Sequence, residues 1–200
     1  MLTRAIHFIA RLTSARRRAA GSVNNTARRV DKAMGGRAMK YNSSMNFEHL
    51  IQINDPENPL IETLNRDQLW QGLLHRVENA VPFLPGLESC TILEREANSL
   101  LRELDFGPAV IHDRVTLADR HWVRFDIQPS EVHPGGSLMI TIEEPEPDFL
   151  FLRFAYQTTL ATDPNSEERA YIEYVKSAYH QSDVDCVRLI RTLAAGGQIQ

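Results

Sequence analysis

Four polar side chains fall at positions where strand-like alternation points inward: His49, Arg102, Asp113 and Tyr156. Each type can do chemistry in an apolar setting. Histidine exchanges protons near neutral pH, and a partly desolvated aspartate acts as acid or base. Tyrosine carries a hydroxyl on an otherwise apolar ring. As an enzyme, the chain would use His49, Asp113 and Tyr156 as acid–base groups, and these must reach one substrate position within hydrogen-bond distance. As a binding protein, it would use Arg102 and Asp113 as a polar anchor that orients a ligand, with Tyr156 donating to the same ligand. A plainer reading stands beside both. Arg102 and Asp113 are cross-strand neighbours that satisfy each other as a buried ion pair, and His49 is a hydrogen-bonded packing residue.

Other chemistry lacks its residues. Cys90 and Cys186 are far apart and read as two separate thiols, so neither a disulfide nor a metal site is expected. His112-Asp113 and His121 form no ligand array. Gly35-Gly36 and Gly135-Gly136 are bare doublets rather than a phosphate loop, and no nucleophile elbow occurs. Glu143-Glu144 and Glu146 surround a turn, where exposure is the default. No cofactor is expected.

The elements that must position the inward groups can be read in order. Met45 to Asn54 alternates, with Phe47, His49, Ile51 and Ile53 on one side. Asn65 or Thr63 caps a helix starting near Arg66 that carries Leu69, Trp70, Leu73, Leu74 and Val77 on one face. Ala80 to Leu84 is a second short helical piece between Asn79 and Pro85-Gly86. Strand-like segments follow: 89–95, 99–106, 109–117, 121–128, 137–143 and 149–160. No βαβ repeat occurs, so the expected class is α+β with a seven-stranded antiparallel sheet. Last comes an amphipathic helix, Ser166 to Leu193, after the capping stretch Asp163-Pro164-Asn165-Ser166. Its apolar stripe is Tyr171, Val175, Ala178, Cys186, Leu189, Ile190 and Leu193. Asp183 is assigned to its polar face, the polar stretch from His180 to Asp183 leaves open whether the helix is continuous or broken there, and Gly196-Gly197 stops the helix.

Hairpin geometry fixes register. A two-residue turn at Gly107-Pro108 sets Leu104 opposite Ile111 and Arg102 opposite Asp113. A three-residue loop at 118–120 sets Val115 opposite Val123, Asp113 opposite Phe125, and Ile111 opposite Ile127. In the last hairpin Leu138, Ile140 and Ile142 meet Tyr156, Phe154 and Leu152. One sheet face is then apolar and the other carries Arg114, Arg124, Asp126, Arg153 and Trp122, as a one-sided sheet requires.

Charge divides the chain. Residues 1–44 hold ten Lys or Arg and one acid; the rest holds twelve bases and twenty-five acids. The first segment reads as an organelle-import presequence, as a disordered basic arm, or as sequence ahead of a translation start at Met45. The expected division is this extension (1–44), a folded domain (45–194) and a flexible tail (195–200). The acidic domain is a poor nucleic-acid binder, no stretch reaches the ~20 apolar residues of a membrane span, and a cytoplasmic monomer or homodimer is expected.

The element order from Met45 to Leu193 resembles the helix-grip fold of the START and birch-pollen-allergen-like (SRPBCC) superfamily. Asn46-Phe-Glu-His-Leu-Ile, Leu69-Trp70 with Gly72-Leu73, Phe83-Leu-Pro-Gly-Leu87, Glu94-Arg95-Glu96 and Gly136-Ser-Leu-Met-Ile-Thr-Ile-Glu-Glu-Pro-Glu-Pro147 are similar to an AtaL-like group within it. The resemblance implies a curved sheet wrapped around the C-terminal helix, two short helices after the first strand, and a cavity between sheet and helix. It implies no catalytic residues. The expected function is binding of a small hydrophobic molecule, lipid-, polyketide- or aromatic-like, with a polyketide cyclase/dehydratase-like enzyme or a protein-interaction domain as alternatives. Strand parity and the helix stripe make Phe125, Ile127, Ile140, Phe154, Tyr156, Tyr171, Val175 and Ala178 the expected walls, with Arg102 and Asp113 as the polar anchor.

Overall fold

The computed structural model describes residues 45–130, 133, 135–158 and 166–200, without the side chains of Met45, residues 166–169 and Tyr171. The readings placed on residues 1–44 and on the capping stretch 163–165 lie outside the described residues.

Seven strands form one antiparallel sheet: β1 (Met45–Gln52), β2 (Ser89–Arg95), β3 (Ser99–Asp105), β4 (Val110–Ala118), β5 (Trp122–Ile127), β6 (Gly136–Glu143) and β7 (Phe151–Thr158). Their spatial order is β1-β7-β6-β5-β4-β3-β2, so β2 to β7 follow one another as a meander and β1 closes the far side against β7. Burial alternates along β3, β4 and β7 as one packed face demands. The solvent face is laced with ion pairs, among them Arg124 with Asp126 and Arg153 with Glu143 and Glu48. β2 is an edge strand whose register shifts between Ile92 and Glu94, and Leu93 at that irregularity is 47% exposed.

Two helices cover the apolar face. The first, α1, spans Arg66–Glu78, and Asn65 and Gln68 form a reciprocal capping box at its start. Its connection to β1 is tied by buried Asn54, which donates to Leu64 O at 2.7 Å and accepts from Leu64 N at 2.9 Å. The second, α2, runs unbroken over Ser166–Ala195. The continuity left open between His180 and Asp183 is resolved as an unbroken helix, whose phase runs through that stretch with Ser182 and Asp183 buried. The two helices meet at Gly72, where an added Cβ would lie 2.5 Å from Ile190 Cγ2. Gly197 takes φ 68° after the last turn, and the chain folds back to bury Ile199 in the core.

Two expectations are corrected. Residues 80–84 form only a hydrogen-bonded turn, Leu84 N to Ala80 O at 3.0 Å, so one helix rather than two follows β1. Pro82 and Pro85 deny that segment the donors a helix needs. The β4–β5 hairpin turns through Asp119-Arg120-His121, with Arg120 at φ 55°, which sets Val115 opposite Phe125 and Asp113 opposite Ile127. The slip from the expected register is two residues, so every inward side chain stays inward. The β3–β4 and β6–β7 pairings follow the expected register, including Arg102 opposite Asp113 and Phe154 opposite Ile140. Among the described residues, no helix is long and apolar enough to cross a membrane.

Candidate functional site

Sheet and helices bound a partly open cavity of about 150 Å³. Leu104, Phe106, Ile111, Phe125, Ile127 and Leu138 give it apolar walls from β3–β6 and the end of β3. Ala80, Leu84 and Arg76 close it from α1 and the following turn, and Tyr179 and Ser182 from α2. The β5–β6 connection adds His133 and Gly135, and burial holds the His133 imidazole below its ordinary pKa.

Five of the expected residues line this space: Arg102, Asp113, Phe125, Ile127 and Tyr156. Ile140 and Phe154 do not; both are fully buried within the core proper. Val175 is buried on α2, and Ala178 is half-buried beside it, also away from the lining. The Tyr171 side chain lies outside the described residues.

Arg102 and Asp113 form a two-pronged pair. Nε donates to Oδ1 at 2.9 Å and Nη2 to Oδ2 at 2.6 Å. Nη1 donates to the carbonyls of Arg76 at 3.0 Å and Val77 at 2.8 Å. Those carbonyls sit in the last turn of α1, where intrahelical partners run out. The pair therefore pins the helix end to the sheet, and the guanidinium lies favourably at the negative end of the helix dipole. Both Asp113 oxygens and all of the Arg102 nitrogens are committed.

A second polar group sits nearer β1. The Tyr156 hydroxyl on β7 donates to both Asp183 oxygens, at 2.9 and 2.8 Å. Asp183 projects from α2 and is completely buried, which corrects its assignment to the polar face. His49 Nε2 lies 3.1 Å from Asp183 Oδ2 but off the line a hydrogen bond requires. Burial pushes the Asp183 carboxyl above its ordinary value, against the opposing pull of His49, Arg76 and Tyr156. Burial, with the Asp183 charge behind it, pushes the Tyr156 hydroxyl well above its ordinary range. Phe47 stacks on Tyr156 at 4.8 Å, and Tyr179 stacks on Tyr156 at 4.5 Å.

His49, Asp113 and Tyr156 thus do not converge. His49 and Asp113 stand on β1 and β4, four strand spacings apart, or roughly 19 Å along the sheet at ~4.8 Å per strand. The polar residues that pattern reading missed are Arg76 and Asp183. Both carried a signal in the sequence. Arg76 keeps phase with Leu69, Leu73 and Val77 on α1, and Asp183 keeps phase with Val175, Cys186 and Ile190 on α2.

A family model described as acetylaranotin biosynthesis cluster protein L matches residues 51–197. No curated protein matches the chain. Among solved structures, the ZhuI aromatase/cyclase from Streptomyces sp. R1128 is similar at 14% identity and TM-score 0.56, covering 76% of this chain and 96% of that one. The di-domain aromatase/cyclase StfQ of the steffimycin pathway is similar at 13% identity and TM-score 0.57, over 78% of this chain but only 53% of its own. Ara h 8.0201 is similar at 10% identity and TM-score 0.51, covering 75% and 99% of the two chains. At these identities the likeness is one of fold.

Proposed function

The chain belongs to the acetylaranotin biosynthesis cluster protein L (AtaL) family of the helix-grip superfamily, and from that premise we propose that it binds a small hydrophobic, ring-bearing molecule non-covalently between sheet and helices. The observation that carries this reading is the cavity itself, about 150 Å³ and walled by Leu104, Phe106, Ile111, Phe125, Ile127 and Leu138. A cavity of about this size has room for a benzene-sized guest. A guest of about ten heavy atoms reaches micromolar affinity at about 0.8 kcal/mol per atom, inside the range small ligands achieve. The aromatase/cyclase relatives make ring-bearing polyketide-like compounds the first class to screen.

The reading is tested by native mass spectrometry of protein purified from its own host, followed by a screen of aromatic, polyketide and fatty-acid compounds. A guest mass is expected on the wild-type chain and is expected to vanish from a cavity-filled Ile111→Trp variant. No guest from either source, or equal retention by Ile111→Trp, overturns the reading.

A further inference from the structure

Most polar groups around the cavity are already taken. Arg102 and Asp113 satisfy each other, and the Tyr156 hydroxyl is held by Asp183. Arg76 is different. It lines the cavity, is 6% exposed, and its Nη1 has no hydrogen-bond partner among the described residues. None of the described ion pairs includes it; its guanidinium meets the Cys186 thiol, and its guanidinium carbon lies over the Phe125 ring at 5.5 Å. A second buried atom without a partner among the described residues, Thr158 Oγ1, belongs to the same lining. A buried guanidinium nitrogen left without an acceptor is costly, and an acidic oxygen meets it best.

Resting on the binding function proposed above, we propose that Arg76 is the polar recognition residue of the cavity, and that the ligand is an aromatic compound bearing an acidic oxygen, a carboxylate or an ionised phenol, placed on the Arg76 guanidinium. The ring lies along Phe125 and Ile111, and the acidic oxygen faces α1. Arg102 is excluded from this role because its donors are occupied. Arg76 is a binding residue, and no bond-breaking step is assigned to it.

The test uses matched probes: benzoate with benzamide, and 2-naphthoate with 2-naphthamide. Each is titrated calorimetrically into the full chain at pH 7.5, with the comparison made for the size whose neutral member binds. The acid is expected to bind at least about tenfold tighter than its amide, since a hydrogen bond to a charged partner exceeds a neutral one. In Arg76→Gln that preference falls to within about threefold. Arg76→Lys, which keeps the charge, retains part of the preference and serves as the deciding variant if Arg76→Gln misfolds by circular dichroism. Equal affinity for acid and amide in the wild-type chain, or a preference unchanged in both variants, overturns the assignment and leaves the cavity reading standing. Failure of every probe, charged and neutral, overturns the cavity reading and this assignment with it.

Discussion

Substituting Asp113 by alanine isolates what the Arg102–Asp113 pair does. The side chains are 2% and 3% exposed, so Asp113→Ala leaves a guanidinium in the interior with two of its three nitrogens unpaired. Breaking a buried pair from one side costs about 3–5 kcal/mol. The Nη1 bonds to the Arg76 and Val77 carbonyls persist, which places the expected loss toward the lower end. Removing both charges, as Arg102→Met with Asp113→Leu, relieves the stranded cation but leaves those two carbonyls at the end of α1 without a donor. At about 1 kcal/mol per lost hydrogen bond, the double variant is expected to lose about 2 kcal/mol. It is therefore more stable than Asp113→Ala although it carries one more substitution. Urea unfolding monitored by far-ultraviolet circular dichroism measures all three chains, with unchanged slopes required before midpoints are compared. A loss below about 1 kcal/mol in Asp113→Ala, or a double variant less stable than the single one, refutes the account of the pair as the clamp between α1 and the sheet.

Three further outcomes follow from the helix contacts and the second polar group. Gly72→Ala drives a methyl group into the Ile190 side chain at 2.5 Å, and an overpacking loss of about 1–3 kcal/mol is expected despite the better helix propensity of alanine. Adding Ile190→Ala is expected to remove the clash, so the double variant loses less than the sum of the singles in the same unfolding assay. Asp183→Asn keeps an acceptor for Tyr156 and removes a carboxylate whose ionised form burial disfavours. The folded Asp183 holds its proton to higher pH than its ordinary 3.8, so in the window just above that value the folded chain binds more protons than the unfolded one. This carboxyl thus makes wild-type stability fall as pH rises through the window. Asp183→Asn is expected to abolish that component of the slope and to be at least as stable as wild type at pH 7; an unchanged slope with a loss above about 1 kcal/mol sinks the idea. Tyr156→Phe is expected to lose about 1.5–3 kcal/mol at pH 7, the worth of a hydrogen bond to a charged group. It is also expected to flatten the alkaline loss of stability, because the raised Tyr156 value makes the folded chain hold its proton where the unfolded chain releases it.

Strand parity and turn chemistry made most of this fold legible. Gly107-Pro108 is too short to allow a choice of pairing, and Arg102 met Asp113 as the turn dictated. The longer Asp119-Arg120-His121 turn left the register free by two residues, since a slip of two keeps the same face inward and the hydrophobic pattern cannot oppose it. The polar residues of the site were harder to read, for one reason. Arg76 and Asp183 sit in phase with buried stripes, but a charged type in an amphipathic helix is ordinarily assigned to solvent. Phase outranked residue type at both positions. What no one-dimensional pattern carries is which side of a packed layer encloses space. Ile140 and Phe154 share inward parity with Phe125 and Ile127, yet the first two are covered on all sides and the others border the cavity.

The same distinction explains how the fold tolerates Arg76. Its contact with the Phe125 ring at 5.5 Å supplies about 0.5–2 kcal/mol, and Cys186 and, beyond hydrogen-bond reach, the Asp183 charge add further attraction. An unsatisfied buried donor costs about 1–3 kcal/mol. These sums nearly cancel, so the guanidinium can stay inside without a direct carboxylate partner and keeps its capacity to bind an oxygen. Arg102, whose guanidinium carbon lies over the same ring at 5.2 Å, shows the opposite arrangement: full pairing, stronger local clamping, and no donor to spare for a guest. Two buried arginines beside one phenyl ring therefore divide the work, Arg102 holding the helix to the sheet and Arg76 facing the ligand. Exchanging their environments, by removing Asp113, should then convert Arg102 into a second acid-binding group at the expense of stability; 2-naphthoate affinity rising in Asp113→Ala while 2-naphthamide affinity holds is the expected signature, and an unchanged acid preference in a folded Asp113→Ala chain refutes the division.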